Sequence, residues 1–126
     1  MQDRPTAPEL LDALAAHLFT EVREWVPRER TFQVLVAANL CAMIAREIRA
    51  GVEPSQADVA LFRSLLGKEG EVPPPEQAEA EARAAAAELS AAIRAGELDA
   101  DLASVAAGLH DHVRRKLEIA RPGYSA

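Results

Sequence analysis

Residues 32–45 read FQVLVAANLCAMIA, and only Gln33 and Asn39 among them are polar. The uncharged run is slightly longer, from Thr31 to Ala45, with Arg28, Glu29 and Arg30 before it and Arg46, Glu47 and Arg49 after it. A helix that is apolar on every side is normally enclosed by other helices. At 3.6 residues per turn, Asn39 shares an angular sector with Phe32, Leu35, Val36 and Met43. The expectation is therefore a central, buried helix with Asn39 as its one buried polar side chain. An amide in that position must find a hydrogen-bond partner or cost roughly 1–3 kcal/mol. It can satisfy a neighbour and fix helix register, or it can face a partner chain across a two-fold interface.

Helices are also expected on both sides of this stretch. Thr6-x-x-Glu9 is a capping box, with Pro8 tolerated in the first turn. Leu11, Leu14, Leu18, Val22 and Trp25 then recur at three- and four-residue steps, until Pro27 stops the helix. The apolar helix spans 28–50 and ends at Gly51, a natural left-handed cap. A shorter helix starts at Pro54-Ser55, carries Val59, Phe62 and Leu66, and ends at Gly67. Residues 68–75, KEGEVPPP, break the pattern, because consecutive prolines favour an extended path over a helix. Beyond them lies an alanine-rich segment of high helix propensity, with a thin stripe through Ala78, Ala82, Ala85, Leu89 and Ile93, closed by Gly96. Asp99 or Asp101 can cap a last helix bearing Leu102, Val105, Leu109, Val113 and Leu117, which Pro122-Gly123 closes. The expected fold is all-α: an antiparallel bundle of about five helices, one domain over 1–126, with the Pro-rich linker inside it.

Composition narrows the function classes. The 126 residues carry a net charge of −6, and residues 51–98 hold nine acids against four bases. That balance argues against nucleic acid or an anionic membrane as partner, since both demand basic clusters. The single cysteine, Cys41, fits a reducing compartment and reads as an inert thiol within the apolar helix. The N-terminus shows no signal or transit pattern, and no apolar run reaches the ~20 residues that cross a bilayer. A cytoplasmic protein is expected.

No arrangement of residues announces catalysis. His110-Asp111-His112 places its imidazoles about 200° apart on a helix, so they cannot share one metal ion. There is no phosphate loop and no nucleophile elbow. The chain is therefore read as a non-enzyme, with no catalytic, cofactor or metal residues and no cofactor. Arg114-Arg115-Lys116 is a basic run suited to a solvated face or to an acidic partner surface. Trp25, the only tryptophan, has the chemistry of an interface hot spot if its indole is exposed.

Several separated strings, in order, resemble a small bacterial domain family without an assigned activity: MQDRPTAPELL from Met1, VAANLCAMIARE from Val36, LLG at Leu65–Gly67, LSAAIRAGELD from Leu89, and VRRKLEIARPGY ending at Tyr124. Members of that family are encoded beside aminoglycoside-phosphotransferase-like kinases and acyl-CoA dehydrogenases. They resemble the small subunit of a levulinate-pathway 4-hydroxyacyl-CoA kinase. The resemblance implies a non-catalytic accessory subunit that supports such a kinase in acid catabolism. It also selects Arg4, Pro5, Arg114, Arg115 and Tyr124 as candidates for the partner interface, alongside Trp25. The alternative is a self-associating helical scaffold, a homo-oligomer with no small-molecule chemistry.

Overall fold

The computed structural model describes residues 4–124, and every regular element among them is helical. The fold is all-α, with five helices. Helix α1 runs through Ala7–His17, a π-helical turn at Leu18–Val22 and a last turn at Arg23–Trp25; α2 is Arg28–Ala50, α3 Glu53–Leu65, α4 Pro75–Ala95 and α5 Leu102–Ala120. The chain forms two compact units. The first holds the residues up to Ala50 together with Ile119–Pro122; the second holds Gly51–Glu118 and the residues from Gly123 onward.

Local chemistry sets the helix ends. The Thr6 amide donates to Glu9 Oε2 at 2.7 Å and the Glu9 amide to Thr6 Oγ1 at 3.4 Å, which completes the capping box. Gly51 and Gly96 adopt φ of 59° and 77°, a conformation that side-chain-bearing residues resist. At Gly96 the next amide, of Glu97, reaches back to the Ala92 carbonyl at 3.1 Å and closes α4. Asp99–Asp101 form one 3₁₀ turn leading into α5.

In the first unit α1 and α2 make an antiparallel hairpin, since Asp12 near the start of α1 pairs with Arg49 in the last turn of α2. Arg46 donates to the carbonyls of Ile119 and Ala120, two of the acceptors that a helix end leaves without an intrahelical partner. Alanines make the α1–α2 contact close: Ala38 and Ala45 are the buried residues of α2, and α1 has none. This corrects two expectations. Within its unit α2 is covered on one side only, and Asn39 is exposed rather than a buried polar residue. Cys41 is partly buried. The correction has a simple cause: one neighbouring helix can cover only one stripe of a helix.

The π turn explains a further departure. A π-helix widens each turn, so residues beyond it fall out of phase with those before it. Leu11, Leu18 and Val22 keep partial cover, while Trp25, beyond the turn on the expected stripe, is 68 % exposed. Leu14, which precedes the turn, is 46 % exposed, and the turn does not account for it. Thr20 Oγ1, within this turn, donates at 2.8 Å to the carbonyl of Ala16 in the α-helical segment before it.

The second unit holds most of the core. Phe62 of α3 packs with Ala85 and Leu89 of α4, surrounded by Leu61, Leu65, Leu66, Ile93, Leu98 and Leu109. Three contacts fix the direction of α4. Gln56 Nε2 donates to the Pro73 carbonyl at 2.9 Å, Arg63 to Glu81 Oε2 at 2.6 Å, and Lys68 pairs with Glu88. Rising numbers in α3 match rising numbers in α4, so the two helices run parallel. The linker makes this possible by travelling back along α3 in an extended path, as its prolines favour. Arg63 holds it there, donating to the Glu71 carbonyl at 3.0 Å while its other nitrogen holds Glu81. Gly70 suits that passage, because a Cβ there would lie 3.0 Å from Arg63 Nη1.

Helix α5 runs antiparallel to α3: Gly108 lies against Leu61 and Leu65, and His112 against Asp58. A Cβ on Gly108 would meet the Leu61 and Leu65 methyls at 3.2 Å, tighter than ordinary van der Waals contact, so a side chain there must push them aside. Gly108→Leu is expected to cost about 1–3 kcal/mol by overpacking this contact. Urea unfolding followed by circular dichroism would show it as a lower midpoint at unchanged slope.

Candidate functional site

Two features carry chemistry beyond packing: a polar cluster inside the second unit, and the turn end of the hairpin in the first. The cluster is built from one turn of α3 and two turns of α5. Asp58 precedes the buried Val59 and lies one turn before Phe62, so its carboxylate is placed at the edge of the core. His112 Nδ1 is 2.8 Å from Asp58 Oδ1, and Arg115 donates to the same oxygen at 3.1 Å. A carboxylate oxygen accepts, so the imidazole in this pair carries its proton on Nδ1. The side chains of Asp58 and His112 are each 15 % exposed. The His112 ring meets Phe62 edge-on, with centroids 5.0 Å apart.

Asp58 takes both His112 and Arg115 across the α3–α5 contact, while Arg115 Nε is buried without a hydrogen-bond partner. A carboxylate, an imidazole and a guanidinium in this form clamp two helices together. His110 is exposed while His112 turns inward, the divergence that two-residue spacing imposes on a helix. Asp58 was missing from the sequence-based candidates, although an acid one turn before a core phenylalanine is a readable signal. Its partners lie 54 and 57 residues away, which no local pattern encodes.

The expected interface residues are distributed differently. Arg115 is committed to Asp58, so its guanidinium serves the interior of the second unit rather than an open basic face. Arg114 is exposed and pairs along its own helix with Asp111 at 3.0 Å. Tyr124 is about half exposed. Arg4 and Pro5 are exposed, and Arg4 Nη1 is 3.7 Å from Glu9 Oε1, a solvated pair next to the capping box.

Trp25 stands out from these. It is one residue from the extended Val26 that ends α1, and its indole meets the His17 ring edge-on at 5.6 Å. Phe19, also about half exposed, carries the Arg23 guanidinium over its ring at 4.7 Å. The π turn spans this same segment. His17, Phe19 and Trp25 thus give the turn end of the hairpin an aromatic surface, with Arg23 paired to Glu24 at 3.0 Å and His17 to Glu21 at 3.3 Å beside it.

A groove beside the linker is lined by Val59, Arg63, Ser64, Lys68, Gly70 and Pro73, among others. Its cations already hold Glu81 and Glu88, which leaves it little pull on an anionic ligand. Among the described residues, one helix, Arg28–Ala50, is long and apolar enough by composition to cross a membrane. Its uncharged run of Thr31–Ala45 falls short of the ~20 residues a bilayer core requires.

Comparison with protein families matches residues 24–124 to a domain of unknown function, DUF6285. No curated protein and no solved structure matches the chain.

Proposed function

We propose that this chain, which belongs to the DUF6285 family, is a non-catalytic accessory subunit that docks on a partner protein through the turn end of its N-terminal hairpin. The carrying observation is Trp25, 68 % exposed on the last turn of α1. Tryptophan is the side chain most enriched among interface hot spots, and leaving one in water forgoes a large burial gain. Phe19 and the Arg23 guanidinium extend the patch with two more side-chain types that interfaces favour. The Asp58 cluster supports the same reading, since the carboxylate is taken up by His112 and Arg115 in joining α3 to α5.

The partner class comes from the sequence resemblance. It is a cytoplasmic aminoglycoside-phosphotransferase-like kinase acting on hydroxyacyl-CoA or hydroxy-acid substrates, with the small chain completing the large one. The test is co-expression with the kinase encoded beside it and capture through a tag on the kinase. Co-purification is expected, with kinase activity raised by adding this chain. Failure to co-purify, with activity unchanged, removes the proposal.

Trp25→Ala separates docking from folding. An exposed side chain contributes little to stability, so unfolding should shift by no more than about 0.5 kcal/mol. Capture should weaken by roughly 30-fold or more, as loss of a hot-spot residue does.

A further inference from the structure

Helix α2 carries a second uncovered surface, with a pattern of its own. Phe32, Val36, Leu40, Ile44 and Ile48 are 40–74 % exposed and follow one another at four-residue steps. They form the ridge by which helices most often pack on helices, two such ridges interdigitating at about −50°. The buried Ala38 and Ala45, which face the rest of the unit, lie roughly 150° around the helix from Leu40. Among the described residues of the first unit, none buries the ridge.

The ridge is also symmetric about its centre. Val36 and Ile44 lie about 40° to either side of Leu40, one turn before and one turn after it. Phe32 and Ile48 lie about 80° to either side at two turns. Reversing the helix about Leu40 therefore places an apolar side chain wherever one stood before. The two polar positions nearest the centre line obey the same reversal, whereas Asn39 at the flank exchanges with Cys41. Gln33 and Glu47, both exposed and both about 20° from the centre line, exchange places.

We infer that the occupant of this ridge is a second copy of the chain, crossed antiparallel over α2 with the two-fold axis at Leu40. In that arrangement Leu40 meets Leu40, and Val36 of each copy meets Ile44 of the other. Gln33 of each copy donates its amide to the Glu47 carboxylate of the other, so the charge finds a donor on both sides of the axis. No charged residue intrudes between Thr31 and Ala45. A two-fold interface requires a surface that complements itself, and this ridge does so in matching apolar to apolar positions and a donor to a carboxylate.

Sedimentation equilibrium on the full chain tests the inference. At tens of micromolar the mass should be twice that of one chain. Leu40→Glu brings two carboxylates together on the axis and should give a monomer with unchanged helical circular dichroism. In a Cys41→Ser background, Leu40→Cys should form an intermolecular disulfide on mild oxidation, while Glu79→Cys on the exposed side of α4 should not. This second variant decides the matter if Leu40→Glu does not fold. A wild-type monomer at these concentrations overturns the inference, whatever else covers the ridge. So does a dimer that survives Leu40→Glu, or one that leaves Leu40→Cys unlinked. The readout is self-association, so its failure is distinct from failure of kinase capture at Trp25.

Discussion

Phe62→Ala should destabilise the protein by about 3–5 kcal/mol, the largest loss expected from any single truncation in the chain. Phe62 is 4 % exposed and contacts both Ala85 and Leu89, so it fills the space between α3 and α4. Of these two neighbours, Ala85 has no side-chain rotamer with which to fill the hole. The ring also supports His112 edge-on, so its removal loosens the α3–α5 contact as well. Domains are stable by only about 5–15 kcal/mol, so the variant should lie near the edge of folding. Phe62→Leu keeps most of the volume and should cost under about 1.5 kcal/mol. Urea midpoints of the two variants at equal slope would establish the contrast. Equal midpoints would show that the ring is not the keystone of this unit.

Asp58→Ala should cost about 2–3 kcal/mol. Removing one member of a fully buried ion pair costs about 3–5 kcal/mol, because the other charge stays buried without a partner. The lower figure applies here because the Arg115 side chain is 36 % exposed and can recover some hydration. Two donors lose their acceptor at once, since His112 and Arg115 share Asp58 Oδ1. Arg115→Ala alone should cost less, leaving the carboxylate its bond to His112. The double variant Asp58→Ala/Arg115→Ala should cost clearly less than the sum of the singles, because the unpaired charge is gone. Additive costs in that cycle would mean the pair contributes nothing to the clamp.

Much of the local chemistry was legible in the sequence, although Asp99 and Asp101, either of which was expected to cap the last helix, form a 3₁₀ turn instead. The Thr6–Glu9 capping box, the stop at Pro27 and the glycines at 51, 67 and 96 are properties of a few adjacent residues, and each stands where expected. The stripe of Ala78, Ala85 and Leu89 was legible because periodicity reports the buried face of α4 directly. Asn39 was misplaced for the opposite reason. A helix apolar on all sides has no periodicity, so its sequence cannot say which side its neighbour covers. Trp25 left its stripe because a π turn shifts the phase, and hydrophobic spacing carries no mark of that turn.

By itself, the sequence determined an all-α chain, the positions of its helices and the absence of any familiar catalytic motif. It did so because caps, breakers and helix propensity act over three to five residues. Tertiary structure alone decided that α4 runs parallel to α3, since that depends on an extended linker held by Arg63 to the Glu71 carbonyl. It alone decided that Asp58 clamps His112 and Arg115, and that one face of α2 stays open within its unit. Those outcomes turn on which distant surfaces meet, and such meetings depend on shape and direction that no local run of residues contains.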